Sequence, residues 1–203
     1  MVETEFPAMP LTEDTNKTPA PPLDQTLERL RQLDIQYRKT RAPLDELEKE
    51  KLRDFSKFKE NLVTLHELEE EFRSDHQELV HDLVQCIGFL CAAYLQADAT
   101  DRVQIRDFFA DKKIMRVRLL DELGNARLHI PGNDTIGWLR HALAAASIED
   151  NQTDFRDTCV ALDDIRNAVI QAGIDPKPHF VEVAALSSPA MSRFLLSRYI
   201  QPT

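Results

Sequence analysis

Between Phe55 and Leu90, apolar residues return at alternating steps of three and four: Phe55, Phe58, Leu62, Leu65, Glu69, Phe72, His76, Leu79, Leu83, Cys86, Leu90. That heptad period belongs to helices that pack side by side, and only Glu69 and His76 interrupt the apolar series. Residues 44–97 therefore read as a long amphipathic helix, roughly 80 Å if unbroken. Ser74-Asp75-His76-Gln77 has the form of a capping box, with Ser74 as N-cap, and predicts a division into 44–72 and 75–96. The second piece adds Val80, Val84, Ile87 and Phe89 to its stripe, so burial on more than one face is expected. Asp45 with Lys49, and Glu69 with Arg73, stand at the favourable i,i+4 spacing.

Upstream, Leu27, Leu30, Leu33 and Tyr37 mark one face of a helix that starts at Asp24 and ends near Lys39. Pro43 is expected to break or kink the chain there. Residues 24–96 thus form a helical hairpin or coiled coil, and the pattern leaves open whether one chain or two close its seam. The polar pair Glu69 and His76 has three readings. It fixes register, it makes His76 a pH sensor, or the helix simply turns towards solvent at Ser74.

Residues 98–203 read as a small domain of short helices with clear punctuation. Thr100 or Asp101 caps a helix through Phe108 and Phe109. Residues 113–130 fit either a hairpin or, preferably, a helix stopped by Gly124. Pro131-Gly132-Asn133-Asp134 is a turn ending in a cap, and Thr153 or Asp154 opens the next helix, which stops at Gly173. Asp175-Pro176 and Ser188-Pro189 each place a cap before a proline at a first helical position. At the other end, residues 1–22 form a disordered Pro-rich tail. Its Pro19-Ala20-Pro21-Pro22 could serve a proline-reading domain, although a solvated leader is the simpler reading.

Composition supports an all-α fold of long amphipathic helices followed by a compact multi-helix domain. Apolar residues make up 42% of the chain, enough for a core, and glycine occurs only five times. The formal charge of −10 repels DNA and anionic membranes as a whole. The apolar run from Val84 to Leu95 is about half a membrane span, and no signal-peptide pattern opens the chain. Cys86, Cys91 and Cys159 lie in apolar helical stretches at no zinc spacing, which points to reduced, buried thiols in a cytoplasmic protein.

Catalytic patterns are scarce. Glu78 and His81 form a single E-x-x-H pair, whereas a di-iron bundle needs two such pairs and two further glutamates. The set Asp154, Asp157, Asp163 and Asp164 is better read as the solvent face of a helix than as a metal site. Neither a nucleophile elbow nor a glycine-rich phosphate loop is found. The basic cluster Arg102, Arg106, Lys112, Lys113, Arg116 and Arg118, interleaved with Phe108 and Phe109, is a candidate anion or nucleic-acid contact. The acidic stretch from Glu67 to Asp75 offers it a protein partner instead.

The expectation is a non-enzymatic helical scaffold or adaptor subunit without metal or cofactor. It would make self- or partner-protein contacts through Phe55, Phe58, Leu62, Leu65, Glu69, Phe72 and His76. A nucleic-acid- or ligand-binding regulator using residues 102–118 is the alternative. An enzyme assembled around His81, His129, His141 and His179 is a third reading.

Overall fold

The computed structural model describes residues 22–53, 55–111, 118–126, 134–150 and 155–200, and among these it contains nine α-helices and no strand. The Pro-rich tail, apart from Pro22, lies outside the described residues. The all-α expectation holds, and the long N-terminal segment is a hairpin closed within one chain.

Helix α1 (Leu23–Arg53) runs for 31 residues and passes straight through Pro43, where a break was expected. A proline inside a helix deletes one backbone hydrogen bond and costs about 3 kcal/mol. Tertiary packing outweighs that cost here. Pro43 faces solvent, Tyr37 is buried before it, and Leu44 packs against the core after it. The Arg41 guanidinium also bridges the proline to Asp45 at 3.0 Å.

A short 3-10 turn (Phe55–Lys57) leads into α2 (Phe58–Asp75), and α3 (Gln77–Gln96) follows almost without interruption. Contacts with α1 fix an antiparallel register. Cys86 Sγ donates to the Thr26 carbonyl, Arg29 pairs with Asp82, and the Tyr37 and Phe72 rings meet edge-on at 5.8 Å. Arg41 then pairs with Glu69, and Asn61 Nδ2 donates to the Lys51 carbonyl at 2.8 Å. Positions rise along α1 as they fall along α3 and α2.

The division falls near its predicted place, but its cap is corrected. Ser74 stays helical inside α2, so its hydroxyl cannot act as an N-cap, which requires an extended backbone. The irregular residue is His76, and it offers no side-chain cap. Helical hydrogen bonds continue past it, from His76 N to Phe72 O at 3.1 Å and from Val80 N to His76 O at 3.0 Å.

The predicted two-faced burial of α3 is met: Leu83, Ile87, Leu90, Cys91 and Tyr94 are fully enclosed. By length and composition alone this helix could also cross a membrane. In this fold it packs on α1, α5 and α6. Helix α4 (Ala99–Ala110) is capped two or three residues earlier than expected, by Asp98 accepting from Asp101 N at 2.9 Å. Helix α5 (Leu119–Ala126) runs through Gly124, which removes the hairpin reading for those residues. Residues 113–117 and 127–130 lie outside the described residues.

Helix α6 (Thr135–Ile148) is the central strut of the second half. Ala142, Ala144, Ala145 and Ala146 are inaccessible to solvent, and such small side chains let neighbouring helices approach closely. Asp134 caps α6 by accepting from Ile136 N and Gly137 N. A Cβ at position 137 would stand 2.6 Å from that carboxylate, so glycine makes room for the cap. Helix α7 (Phe155–Gln171) stops at Gly173, whose φ of 76° is the left-handed turn that glycine adopts most readily. Helices α8 (Lys177–Leu186) and α9 (Pro189–Tyr199) close the fold, with Ser188 capping α9 as its sequence predicts. Apolar side chains from Leu27 to Tyr199 join one contiguous core.

Candidate functional site

The heptad residues part company in the structure. Leu65 and Phe72 are buried against α1, so they hold the hairpin together. Phe58 and Leu62 keep 42% and 45% of their surface, and neighbouring Val63 keeps 61%. The Phe55 side chain lies outside the described residues. Beside the exposed trio, Leu44, Leu52, Leu62 and Leu65 line a shallow groove of 220 Å³ between α1 and α2, with Glu48, His66 and Glu69 along it.

The two polar seam residues act within the chain. Glu69 Oε1 accepts from Arg41 Nη2 at 2.5 Å across the hairpin. His76 packs against Phe72, with ring centroids 4.8 Å apart and the planes tilted by 60°. Sequence spacing pairs Glu69 with Arg73 and Asp45 with Lys49. The structure turns Glu69 and Asp45 to Arg41 and sends Arg73 to another helix.

That other helix is α5. Where it meets the hairpin, a cleft of 520 Å³ is lined by Tyr37, Arg41, Glu69, Arg73, Asp121, Glu122 and Trp138, among others. Glu122, only 6% exposed, accepts from the Tyr37 hydroxyl at 3.3 Å and from Arg73 Nη1 at 3.1 Å. Burial and the nearby Glu122 charge both hold the Tyr37 phenol above its ordinary range. Three arginines and four carboxylates line the cleft. Such matching makes it a clasp between hairpin and bundle rather than a trap for anions.

Glu149, at the end of α6, secures the other end of α5. Its carboxylate is 4% exposed and accepts from Leu119 N and Leu120 N, capping a helix whose own sequence supplies no cap. Burial pushes this carboxyl up to about 7, although both backbone bonds and the Arg118 charge oppose the shift. The folded state therefore holds the Glu149 proton more tightly than the unfolded chain does. The resulting stability is complete below the ordinary carboxylate value, falls as pH rises towards 7, and is absent above it. The shift corresponds to about 3 kcal/mol. Glu149→Gln keeps an acceptor for Leu119 N but loses the titration. Denaturation series from about pH 4.5 to pH 7.5 should show the wild type losing stability relative to the variant across that window. Parallel curves would exclude Glu149 as the group responsible.

Of the basic cluster, Arg102, Arg106 and Arg118 fall among the described residues. Arg102 Nε donates to the Tyr94 carbonyl at 3.1 Å, and Arg118 pairs with Asp121 and Asp157. Arg106 lines a small depression beside Asp107 and Asp150. Lys112, Lys113 and Arg116 lie outside the described residues. No group of three or more potential metal ligands occurs among the described residues. His81 contacts Gln85 at 2.8 Å on the exposed face of α3, while His141 and His179 lie on α6 and α8. Cys86 and Cys91 are buried free thiols, and burial pushes Cys86 up to about 11, which keeps it protonated and unreactive.

Sequence reading gave Tyr37 only a place on an apolar face and assigned no site role to Arg41, Glu122 or Glu149. The Tyr37–Glu122 bond joins positions 85 residues apart, a separation no local periodicity reports. An isolated glutamate beside Leu120 and Leu123 was the one available hint. Comparison with known proteins adds no relative: no family model, no curated protein and no solved structure matches the chain.

Proposed function

We propose that this chain is a non-enzymatic scaffold or adaptor subunit that binds protein through the distal end of its α1/α2 hairpin. One observation carries the reading. The apolar seam is closed from Leu65 onwards by α1, yet Phe58 and Leu62, one turn apart on α2, and Val63 beside Leu62 remain substantially exposed. Exposed apolar clusters rimmed by polar residues are where protein contacts form. Helices without a cofactor site can present such a face rigidly, and here the charged clasp anchors the hairpin behind it.

The exposed positions also provide a clean test, because substitution there spares the core. Phe58→Asp combined with Leu62→Asp in the full chain should leave circular dichroism and the thermal midpoint close to wild type. It should weaken self-association in light scattering, or capture of bound protein, at least about tenfold. If assembly state and bound proteins are both unchanged in the folded variant, this reading is wrong. Leu65 is unsuitable for the purpose, since burying a charge there would unfold the hairpin.

A further inference from the structure

Helix α5 is the shortest α-helix among the described residues, and eight residues do not hold a helix in water by themselves. Leu119, Leu120 and Leu123 bind it to the core, and two carboxylates tie it to its neighbours. Glu149 caps its start from α6, while its own Glu122 reaches the hairpin through Tyr37 and Arg73. The end of α6 that carries Glu149 is pinned from two sides. The Ser147 and Ser187 hydroxyls meet at 2.7 Å, and Asp150 accepts from Ser188, the cap of α9. A charge forming on the buried Glu149 carboxyl is therefore solvated most readily when α5 moves away from it, because α6 is held in place.

We propose that Glu149 is a proton-operated latch, which holds α5 on the bundle while protonated and lets that helix open locally once ionised, freeing Glu122 from the hairpin. The device does not depend on the protein-binding reading. Around the carboxyl stand Arg118 and Asp121 at the start of α5, Cys91 of α3, and Asp150 next to it in the chain. Asp157 of α7 is drawn in through Arg118, and Arg106 of α4 shares a depression with Asp150. Burial pushes the Cys91 thiol up and keeps it neutral. Burial also raises Asp121, so a variant of Glu149 itself is needed to tell the two carboxyls apart. With Glu149 pushed up to about 7, ionisation favours the open form increasingly from the ordinary carboxylate range to neutrality, and no further above it. Opening also widens the 520 Å³ cleft, since Leu120, Asp121 and Glu122 of α5 line it.

Amide hydrogen exchange in the full chain, divided by the intrinsic rate at each pH, tests the latch. The amides from Glu122 to Ala126 should be protected at least about a hundredfold less than those from Ile87 to Tyr94 in α3, because α5 opens without the rest. Their protection should fall roughly tenfold per pH unit between about pH 5 and pH 7 and level off above that. Global unfolding carries the same proton linkage, so the gap between the two helices is what marks a local opening. In Glu149→Gln, checked as folded by circular dichroism, the slope should flatten while the gap remains. Equal protection of α5 and α3 at every pH would overturn the proposal, since only the whole fold would then yield. A wild-type α5 without the slope, or a glutamine variant that keeps it, would overturn it as well. The two wild-type readings decide even where the variant does not fold.

Discussion

Truncating Leu90 to alanine is expected to lower the free energy of unfolding by about 3 kcal/mol, within the usual 2–5 kcal/mol for a buried leucine. Leu90 is wholly inaccessible and belongs to the core where α3 meets its neighbours. The loss combines the transfer free energy of the removed carbons with the cavity left behind, because packed helices close around such a gap only partly. A domain of this size has a total stability on the order of 10 kcal/mol, so the change removes a large share of it. Phe89 is the natural control. It is one residue away but 45% exposed, so its alanine variant should cost well under half as much despite the larger side chain. Urea titrations with unchanged slopes measure both values. Similar costs at the two positions would mean that α3 does not face the core as described.

Arg73→Ala should be comparably damaging, at about 3 kcal/mol, although it removes a surface-reaching side chain. Its side chain is 20% exposed, and Nη1 lies 3.1 Å from Glu122, whose side chain is 8% exposed. Deleting the arginine strands a buried carboxylate whose remaining partner among the described residues is the Tyr37 hydroxyl at 3.3 Å. Uncompensated buried charge costs far more than the intact pair contributes. The double variant Arg73→Met, Glu122→Leu removes both charges and should therefore recover most of the loss. A double-mutant cycle in chemical denaturation gives the coupling directly. If the double variant were less stable than Arg73→Ala, the clasp would owe its strength to more than charge neutralisation.

The sequence carried the helices well because helix formation leaves local marks. The three-four spacing from Phe55 to Leu90, the caps at Asp134 and Ser188, and the stop at Gly173 each act within a few residues. Pro43 was misjudged because its penalty is local while its compensation is not: the packing of Tyr37 and Leu44 lies along other helices. Ser74 was misjudged because a capping box is only an opportunity, which a chain already held helical by its neighbours does not take. The site was legible in part. Phe58, Leu62 and Phe72 share one period and one composition, yet α1 covers Phe72 and leaves the first two exposed. The charged clasp was illegible, since its members come from four helices and pair across the fold instead of along any one helix.

Pro43 has a mechanical consequence. Lys39 lacks the intrahelical donor that any other residue at position 43 would supply, so the rod is most compliant there. Near Thr26 and Arg29 α1 rides on α3, and from Tyr37 onwards, across the proline, it rides on α2. A load applied at Leu62 therefore concentrates bending strain within one turn of Arg41. The hairpin behaves as a lever with its fulcrum at the clasp, and tension on its far end is felt first by Glu69, Tyr37 and Glu122.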